Sequence, residues 1–328
     1  MWCTTRLCFG PNTFLLFIND LPNATDFLTL LFADDTTFQV SGQNLDQLFD
    51  LANSELQKST VWFKANKLTL NVKKTKFMIF SDKSLDIGPN ILKIGNQTIE
   101  QIGTHCKEKY FKFVGHVLDD KHSWDGHIEH IAKKLASANF GINSSKNFLP
   151  PQIRKTLYFS LFESHLNFGN ILWGCTRNKN VKRIETLQKR CIRNVSLENY
   201  RAHSEPLFKK LNILKFSDKL AHSRALFMHK YRHNKLPKSF TGIFTDTIST
   251  DMMQSRHNDY NYKNVPAVRK NLENFPLKQM IFNWNFLSLD LKATADYLEF
   301  DLQLKRKYIS QYSYETDCPN DCFNCKNN

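Results

Sequence analysis

Two adjacent carboxylates, Asp34-Asp35, close the apolar run Phe27-Leu28-Thr29-Leu30-Leu31-Phe32-Ala33. The β-prone run Thr36-Thr37-Phe38-Gln39-Val40 follows at once. Side by side, two carboxylates repel each other, and each strongly prefers water. A divalent cation resolves that conflict, because Mg²⁺ takes hard oxygen ligands, often one or two carboxylates plus substrate phosphates. A solvated hairpin tip is the other reading, since Asp suits turns. A second group is Cys318-x3-Cys322-x2-Cys325. Its spacing suits Zn²⁺, but a structural zinc wants four ligands, and no His or further Cys follows before Asn328. Free thiols are the alternative. A third group is Lys182, Arg183, Lys189, Arg190 and Arg193 on one amphipathic segment. These cations suit a nucleic-acid backbone, with nearby Phe or Tyr to stack on bases; a solvated helix face is the competing reading. The chain has no Gly-rich phosphate loop, no Gly-x-Ser-x-Gly and no His-Glu-x-x-His.

Composition narrows the partners. Lys and Arg number 45 against 31 Asp and Glu, a net charge of +14. That balance favours a polyanion, nucleic acid first and an anionic membrane surface second. No stretch of 18 apolar residues occurs, so no membrane span is expected. The N-terminus is too short and irregular in its apolar run for a signal peptide. Most of the eight Cys are scattered in apolar or mixed contexts. An intracellular protein, nuclear or cytoplasmic and not secreted, is expected.

The elements that must position the carboxylates read as a mixed layer. Phe14 to Ile18 ends an apolar helix before Pro22. Residues 27–33 and 36–40 form a buried strand, an acidic turn and a return strand. Leu45, Leu48, Phe49, Ala52, Leu56, Ser59 and Phe63 follow helical spacing over 44–66. Strands are expected at Leu68–Val72 and Phe77–Phe80, with the basic turn Lys73-Lys74-Thr75-Lys76 between them. A hairpin is expected around Gly95-Asn96, and one strand over Tyr110–Leu118. Asp119-Asp120 reads as a solvated turn. From Ser123, a predicted N-cap, the period is helical. Trp124, Ile128, Ile131, Leu135, Ala138 and Ile142 mark one helix. Ile153, Leu157, Leu161 and Phe162 mark the next, with Pro151 at its first position. Val181, Ile184, Leu187, Cys191, Ile192 and Val195 mark a third. Further helices are expected near 205–212 and 216–234, and a helical patch over 276–307, after a polar irregular stretch at 241–270.

Several pieces then resemble one family in one order. They are Gly10-Pro11 before Phe14–Leu21, then Phe32-Ala33-Asp34-Asp35-Thr36, then Trp62-Phe63 with Asn66-Lys67-Leu68-x-Leu70-Asn71. Lys74-Thr75-Lys76-x-Met78-x-Phe80 and Phe111-Lys112-Phe113-Val114-Gly115 complete the set. The set is similar to the second half of the palm of a reverse transcriptase from a non-LTR (LINE-type, Jockey/CR1-like) retrotransposon. The helices after 123 and the Cys cluster resemble the thumb and C-terminal region of the same polyproteins.

The resemblance implies an α+β fold. A partial right-hand polymerase palm, an antiparallel sheet with helices on one face, would occupy 1–122. An all-helical thumb would occupy 123–240, and a C-terminal region with the Cys cluster 241–328. It implies an RNA-directed DNA polymerase that extends a DNA primer on an RNA template by two-metal nucleotidyl transfer. Asp34 and Asp35 would then be catalytic and metal-binding, with Mg²⁺ as cofactor. Lys74 or Lys76 would meet the incoming nucleotide. Phe111, Lys112, Phe113, Val114 and Gly115 would grip the primer end. The family needs another Asp on a strand well upstream of the hairpin, and none precedes Asp34 in a matching position. Thr4-Thr5-Arg6-Leu7 stands where the family reads Pro-Gln-Gly-Ser, and fingers and endonuclease segments are absent. No polymerase activity is therefore expected from this chain alone. A non-catalytic, basic nucleic-acid-binding remnant is the alternative.

Overall fold

The computed structural model describes residues 9–81, 87–245, 260–263 and 275–313. The chain divides into two compact units, Met1–His122 and Ser123–Asn328.

In the N-terminal unit, α1 (Phe9–Ile18) is followed by a 3-10 turn, Leu21–Ala24. The strands β1 (Leu28–Phe32) and β2 (Asp35–Gln39) pair antiparallel. Helix α2 (Leu45–Ala65) starts where the Asn44 side chain accepts the Gln47 N–H at 3.1 Å, one of the orphan donors of a helix start. It buries Phe49, Ala52, Leu56, Ser59 and Phe63, the stripe that the spacing predicts. It also buries Glu55, which accepts the Asp26 backbone N–H at 2.7 Å and pairs with Lys58 at 2.6 Å. Six short strands follow: β3 (Lys76–Met78), β4 (Lys93–Ile94), β5 (Gln97–Thr98), β6 (Glu100–Ile102), β7 (Phe111–Phe113) and β8 (His116–Leu118).

The expected single antiparallel sheet is not found among the described residues. There are four separate two-stranded ladders, and β3–β6 is parallel. Leu68–Val72 joins none of them. Asn71 instead bends the chain, its carbonyl accepting the N–H groups of Lys74 (3.0 Å) and Thr75 (3.1 Å), a local alternative to a ladder. The expected strand Tyr110–Leu118 is a hairpin, with Phe113 opposite His116 across Val114-Gly115. Asp119-Asp120 is not the solvated turn that was expected. Asp119 is buried and accepts the Lys121 N–H at 3.0 Å, and the Thr104 hydroxyl donates to Asp120. Burial alone would raise the Asp120 pKa; the Thr104 hydrogen bonds outweigh it and hold the carboxyl low.

The second unit is helical. Helix α3 (Asp125–Ser144) buries Ile128, Ile131, Leu135 and Ile142 as its period predicts. Ser123 accepts the Asp125 N–H at 3.2 Å, while Trp124 takes the cap position itself. Helix α4 (Pro151–Leu157) runs through a π-helical segment, Tyr158–Glu163, into α5 (Ser164–Asn167). That wider turn shifts the phase. Ile153 and Leu161, expected inside, are exposed, while Arg154, Tyr158 and Phe162 are fully buried. Next come α6 (Asn170–Trp173), α7 (Asn178–Ser196), α8 (Ser204–Leu211) and α9 (Phe216–Arg232). The expected patch at 276–307 is three helices, α10 (Pro276–Asn285), α11 (Leu289–Ala293) and α12 (Tyr297–Ser310). Their residues Ile281, Trp284, Phe300 and Leu304 share a core with Ala225 and Met228 of α9. No helix among the described residues is long and apolar enough to cross a membrane.

Candidate functional site

The β1–β2 register sets Phe32 opposite Asp35, which leaves the two-residue turn Ala33-Asp34. Such turns need a positive φ, and Gly, Asn or Asp supply it cheaply. Here Ala33 does so, at φ 53°, in a region that costs an L-residue about 1–2 kcal/mol. In the β4–β5 hairpin the same need is met by Gly95, at φ 58°. Asp34 and Asp35 are both exposed, and neither carboxylate makes a hydrogen bond or ion pair among the described residues. The flanking strand is not buried on both sides as expected. Leu28, Leu30 and Phe32 are 59, 46 and 61% exposed, while Leu31, on the other face, packs on Ile18, Leu21 and Phe63.

Lys74 and Lys76 differ in their surroundings. Lys74 is exposed in the turn built on Asn71. Lys76 lies on β3, pairs with Glu100, and has Glu108 at 3.9 Å. The hydrogen bond to Glu100 raises the Lys76 pKa. Lys76 is an ion-paired strand residue, whereas Lys73 and Lys74 are exposed in the turn.

Phe111–Phe113 forms β7, and Val114-Gly115 is its turn, with φ of 42° and 82°. A β-branched residue at positive φ is a genuine outlier. Phe111 and Lys112 face solvent; Phe113 and Val114 are half-buried. Burial holds the pKa of the adjacent His116 low, although a hydrogen bond from its ring to the Val114 carbonyl opposes it. Since Asp34 and Asp35 have no such partners, no hydrogen bond or ion pair ties them to Lys74, Lys76 or the 111–115 turn among the described residues.

The basic helix separates into three roles. Arg193 is half-buried and donates from Nε to the Ala202 carbonyl at 2.7 Å, so it closes the chain after α7. Burial, then the nearby Arg190, hold its pKa below the usual arginine value. Lys182 and Lys189 share one exposed stripe. Arg183 and Arg190 share another, which lines an open groove of about 420 Å³ between α3 and α7. The α3 wall is Glu129, Ala132, Lys133 and Ala136.

Cys318, Cys322 and Cys325 lie outside the described residues. Among those described, no three His, Cys, Asp or Glu side chains come close enough to share a metal ion. Asp34 and Asp35 thus offer two oxygen donors, a set that suits Mg²⁺ when phosphates supply further ligands.

Other polar residues escaped the sequence reading. Arg154, fully buried, donates from Nε to Val195 O at 3.0 Å and from one NH₂ group to Lys146 O and Leu149 O, both at 2.9 Å. Lys292 is buried and donates to Asn261 Oδ1 at 2.8 Å and Asn285 O at 2.9 Å; desolvation brings its pKa down to about 8. Neither position has a local sequence signal. The α3 wall did have one, since Glu129, Ala132, Lys133 and Ala136 follow the i, i+3, i+4, i+7 spacing of one helix face.

The chain is similar to the RNA-directed DNA polymerase from mobile element jockey of Drosophila melanogaster, 21% identical over 233 residues. The alignment covers 67% of this chain and 24% of that protein, so the chain spans about a quarter of the length of this curated relative. No family model matches the chain, and no solved structure does.

Proposed function

We propose that the chain is a palm-and-thumb portion of an RNA-directed DNA polymerase of the non-LTR retrotransposon type. The likeness to the jockey polymerase supports the family relationship. The observation that carries the site is the pair Asp34-Asp35, whose carboxylates are exposed and without partners among the described residues on a strained two-residue turn. Two carboxylates without a cation between them repel. In this reading Asp34 is the metal ligand and Asp35 supports it. Bound Mg²⁺ would supply charge neutralisation at the transferring phosphate. Lys74 would meet the triphosphate, and the exposed Phe111 and Lys112 would contact the primer end. RNA template and DNA primer are the partners. Two carboxylates fall short of the full family set, so turnover requires a further acidic strand from outside this chain.

The test is Mn²⁺ titration followed by NMR. Paramagnetic broadening centred on residues 33–36, lost in Asp34→Ala, supports the metal site. Broadening unchanged by Asp34→Ala overturns it. Primer extension in Mg²⁺, comparing the chain with Asp34→Ala, is the second measurement, with no extension expected from the chain alone. Extension that survives the substitution also sinks the assignment.

A second reading is favoured by the three cations of the α3–α7 groove: a basic protein that binds nucleic acid without catalysis. It predicts RNA binding that weakens steeply with salt and is indifferent to Asp34.

A further inference from the structure

Helices α3 and α7 run side by side and parallel. Asn180 Nδ2 donates to Asp125 Oδ1 at 2.6 Å, Arg183 lies 3.8 Å from Glu129, and Asn194 Nδ2 donates to Asn139 Oδ1 at 2.8 Å. Both partners advance along their helices together. The groove between them takes four residues from each helix at i, i+3, i+4 and i+7: Glu129, Ala132, Lys133 and Ala136, and Arg183, Thr186, Leu187 and Arg190. Small side chains on α3 and Thr186 on α7 keep the floor low. Three cations stand over it, against one carboxylate. Arg183 and Arg190 are one heptad apart, about 10.5 Å along the axis. Glu129 sits between two of the cations, 3.5 Å from Lys133 and 3.8 Å from Arg183. Lys133 and Glu129 are more than half in solvent and Arg183 is about half, where such pairs are weak. One turn beyond Ala136 on the same face, Phe140 holds its ring 73% exposed.

From this geometry we infer that the groove is a binding site for single-stranded nucleic acid. It rests on the nucleic-acid reading above, and it names the strand form and the residues. Lys133, Arg183 and Arg190 take the phosphates; a base stacks on Phe140; Glu129 is the internal competitor that a phosphate displaces. Lys182, Lys189 and Arg193 are not part of it. The low floor admits a sugar–phosphate chain with its bases splayed. A duplex, its bases already stacked on each other, has none to give Phe140.

The experiment uses the full chain and fluorescence anisotropy with a labelled 12-nucleotide pyrimidine strand, as RNA and as DNA, and with the corresponding duplexes. The single strands should bind more tightly than the duplexes. Three phosphate contacts on a single strand give a log–log salt slope of about −2. Lys133→Glu/Arg183→Glu/Arg190→Glu should weaken binding at least thirtyfold. A charge-matched control at exposed sites outside the groove, Lys210→Glu/Lys238→Glu/Arg306→Glu, should change it less than threefold. Phe140→Ala should cost about tenfold, in keeping with base–aromatic stacking. Glu129→Gln should tighten binding about threefold, a gain that misfolding cannot produce. An equal loss in the control and groove variants overturns the site and leaves nucleic-acid binding standing. So does tighter binding of duplex than of single strand, or no gain in Glu129→Gln. Absence of any binding by the unaltered chain overturns the nucleic-acid reading itself.

Discussion

In the helical unit, Tyr158, Phe162, Leu166, Trp173, Ile192, Val195 and Phe216 are wholly buried in one cluster. Trp284, Phe300 and Leu304 are wholly buried in a second. In the N-terminal unit the described apolar clusters gather only Phe27, Ala52, Leu56, Ile94 and Ile99 in one, and Ile18, Leu21 and Phe63 in another. The same unit leaves Leu16, Leu28, Leu30, Phe32 and Val61 in solvent, and its strands make four ladders of two. Two-stranded ladders are marginal in water unless they pack on something else. The helical unit also leaves Phe140, Phe148 and Phe286 in solvent, but its apolar clusters are the larger. The N-terminal unit puts apolar surface and a strained acidic turn side by side, an arrangement suited to binding more than to holding itself together.

Arg154→Ala should break the helical unit hardest. The guanidinium holds three backbone carbonyls, at Lys146, Leu149 and Val195, where the chain leaves α3 and α7. Its loss strands those acceptors and opens a cavity, a combination worth about 3–5 kcal/mol. For a unit of this size that lowers Tm by about 10 °C. Calorimetry should show the main transition shift and any separate N-terminal transition stay in place. Movement of both together would mean that the two units do not unfold independently.

Gly174→Ala comes next. Gly174 ends α6, and a Cβ there would run into the Leu220 side chain of α9 and the Asn170 carbonyl. Overpacking of that kind costs about 1–3 kcal/mol. Gly141→Ala, in α3, would meet nothing, and should leave the transition unmoved or slightly raised by helix propensity. Equal effects from the two would deny that α6 and α9 are closely packed at this point.

The difference should also show in acid. Burial lowers the pKa of His222 and His229 on α9, of His233 just after it, and of His165 on α5; in the N-terminal unit only His116 shows such a shift among the described residues. His229 donates from Nε2 to the Thr294 carbonyl at 2.9 Å and stacks on Phe300, and its Nδ1 has no partner. A proton there would be buried without an acceptor. A folded pKa below the unfolded value means that the unfolded chain takes up protons first. The stabilisation is thus complete above about pH 6.5 and is lost as pH falls towards the folded values. Melting at pH 7, 6 and 5 should show the helical unit losing stability over this range. His229→Phe, which keeps the stack on Phe300, should flatten the dependence; an unchanged pH profile would remove His229 from the cause.

The helical unit was more legible than the N-terminal one, for a physical reason. A helix declares its buried face within one stretch, and the predicted stripes of α2, α3 and α7 lie inside. Strand partners are set at long range. Nothing in Leu28–Phe32 says that its second face stays bare, and nothing in Lys76–Met78 says that Glu100–Ile102 will pair with it in parallel. Breaks from the helical rule were equally silent. Arg154, Tyr158, Phe162 and Leu166 form the buried face, a spacing of four that runs through the π-helical turn at 158–163 and leaves Ile153 and Leu161 outside. The acidic turn was readable as a turn, since Asp34-Asp35 sits between two β-prone runs. That Ala33 bears the positive φ was not, because Gly or Asn is the residue that announces it.

Those strained turns give the smallest effect and the closest test of the site. Val114→Asn creates Asn-Gly, the preferred pair for a turn with two positive φ values, and should raise the stability of the N-terminal unit by about 1 kcal/mol. Ala33→Asn should gain a similar amount, since Asn visits this conformation readily and keeps Cβ. Chemical denaturation followed by NMR signals of the two hairpins measures both. Mn²⁺ affinity then separates two meanings of the strain. If the Ala33 conformation holds Asp34 and Asp35 ready for a cation, relaxing the turn should weaken Mn²⁺ binding in Ala33→Asn and leave it intact in Val114→Asn. If Ala33→Asn is more stable and binds Mn²⁺ as before, the positive φ serves only to close the hairpin.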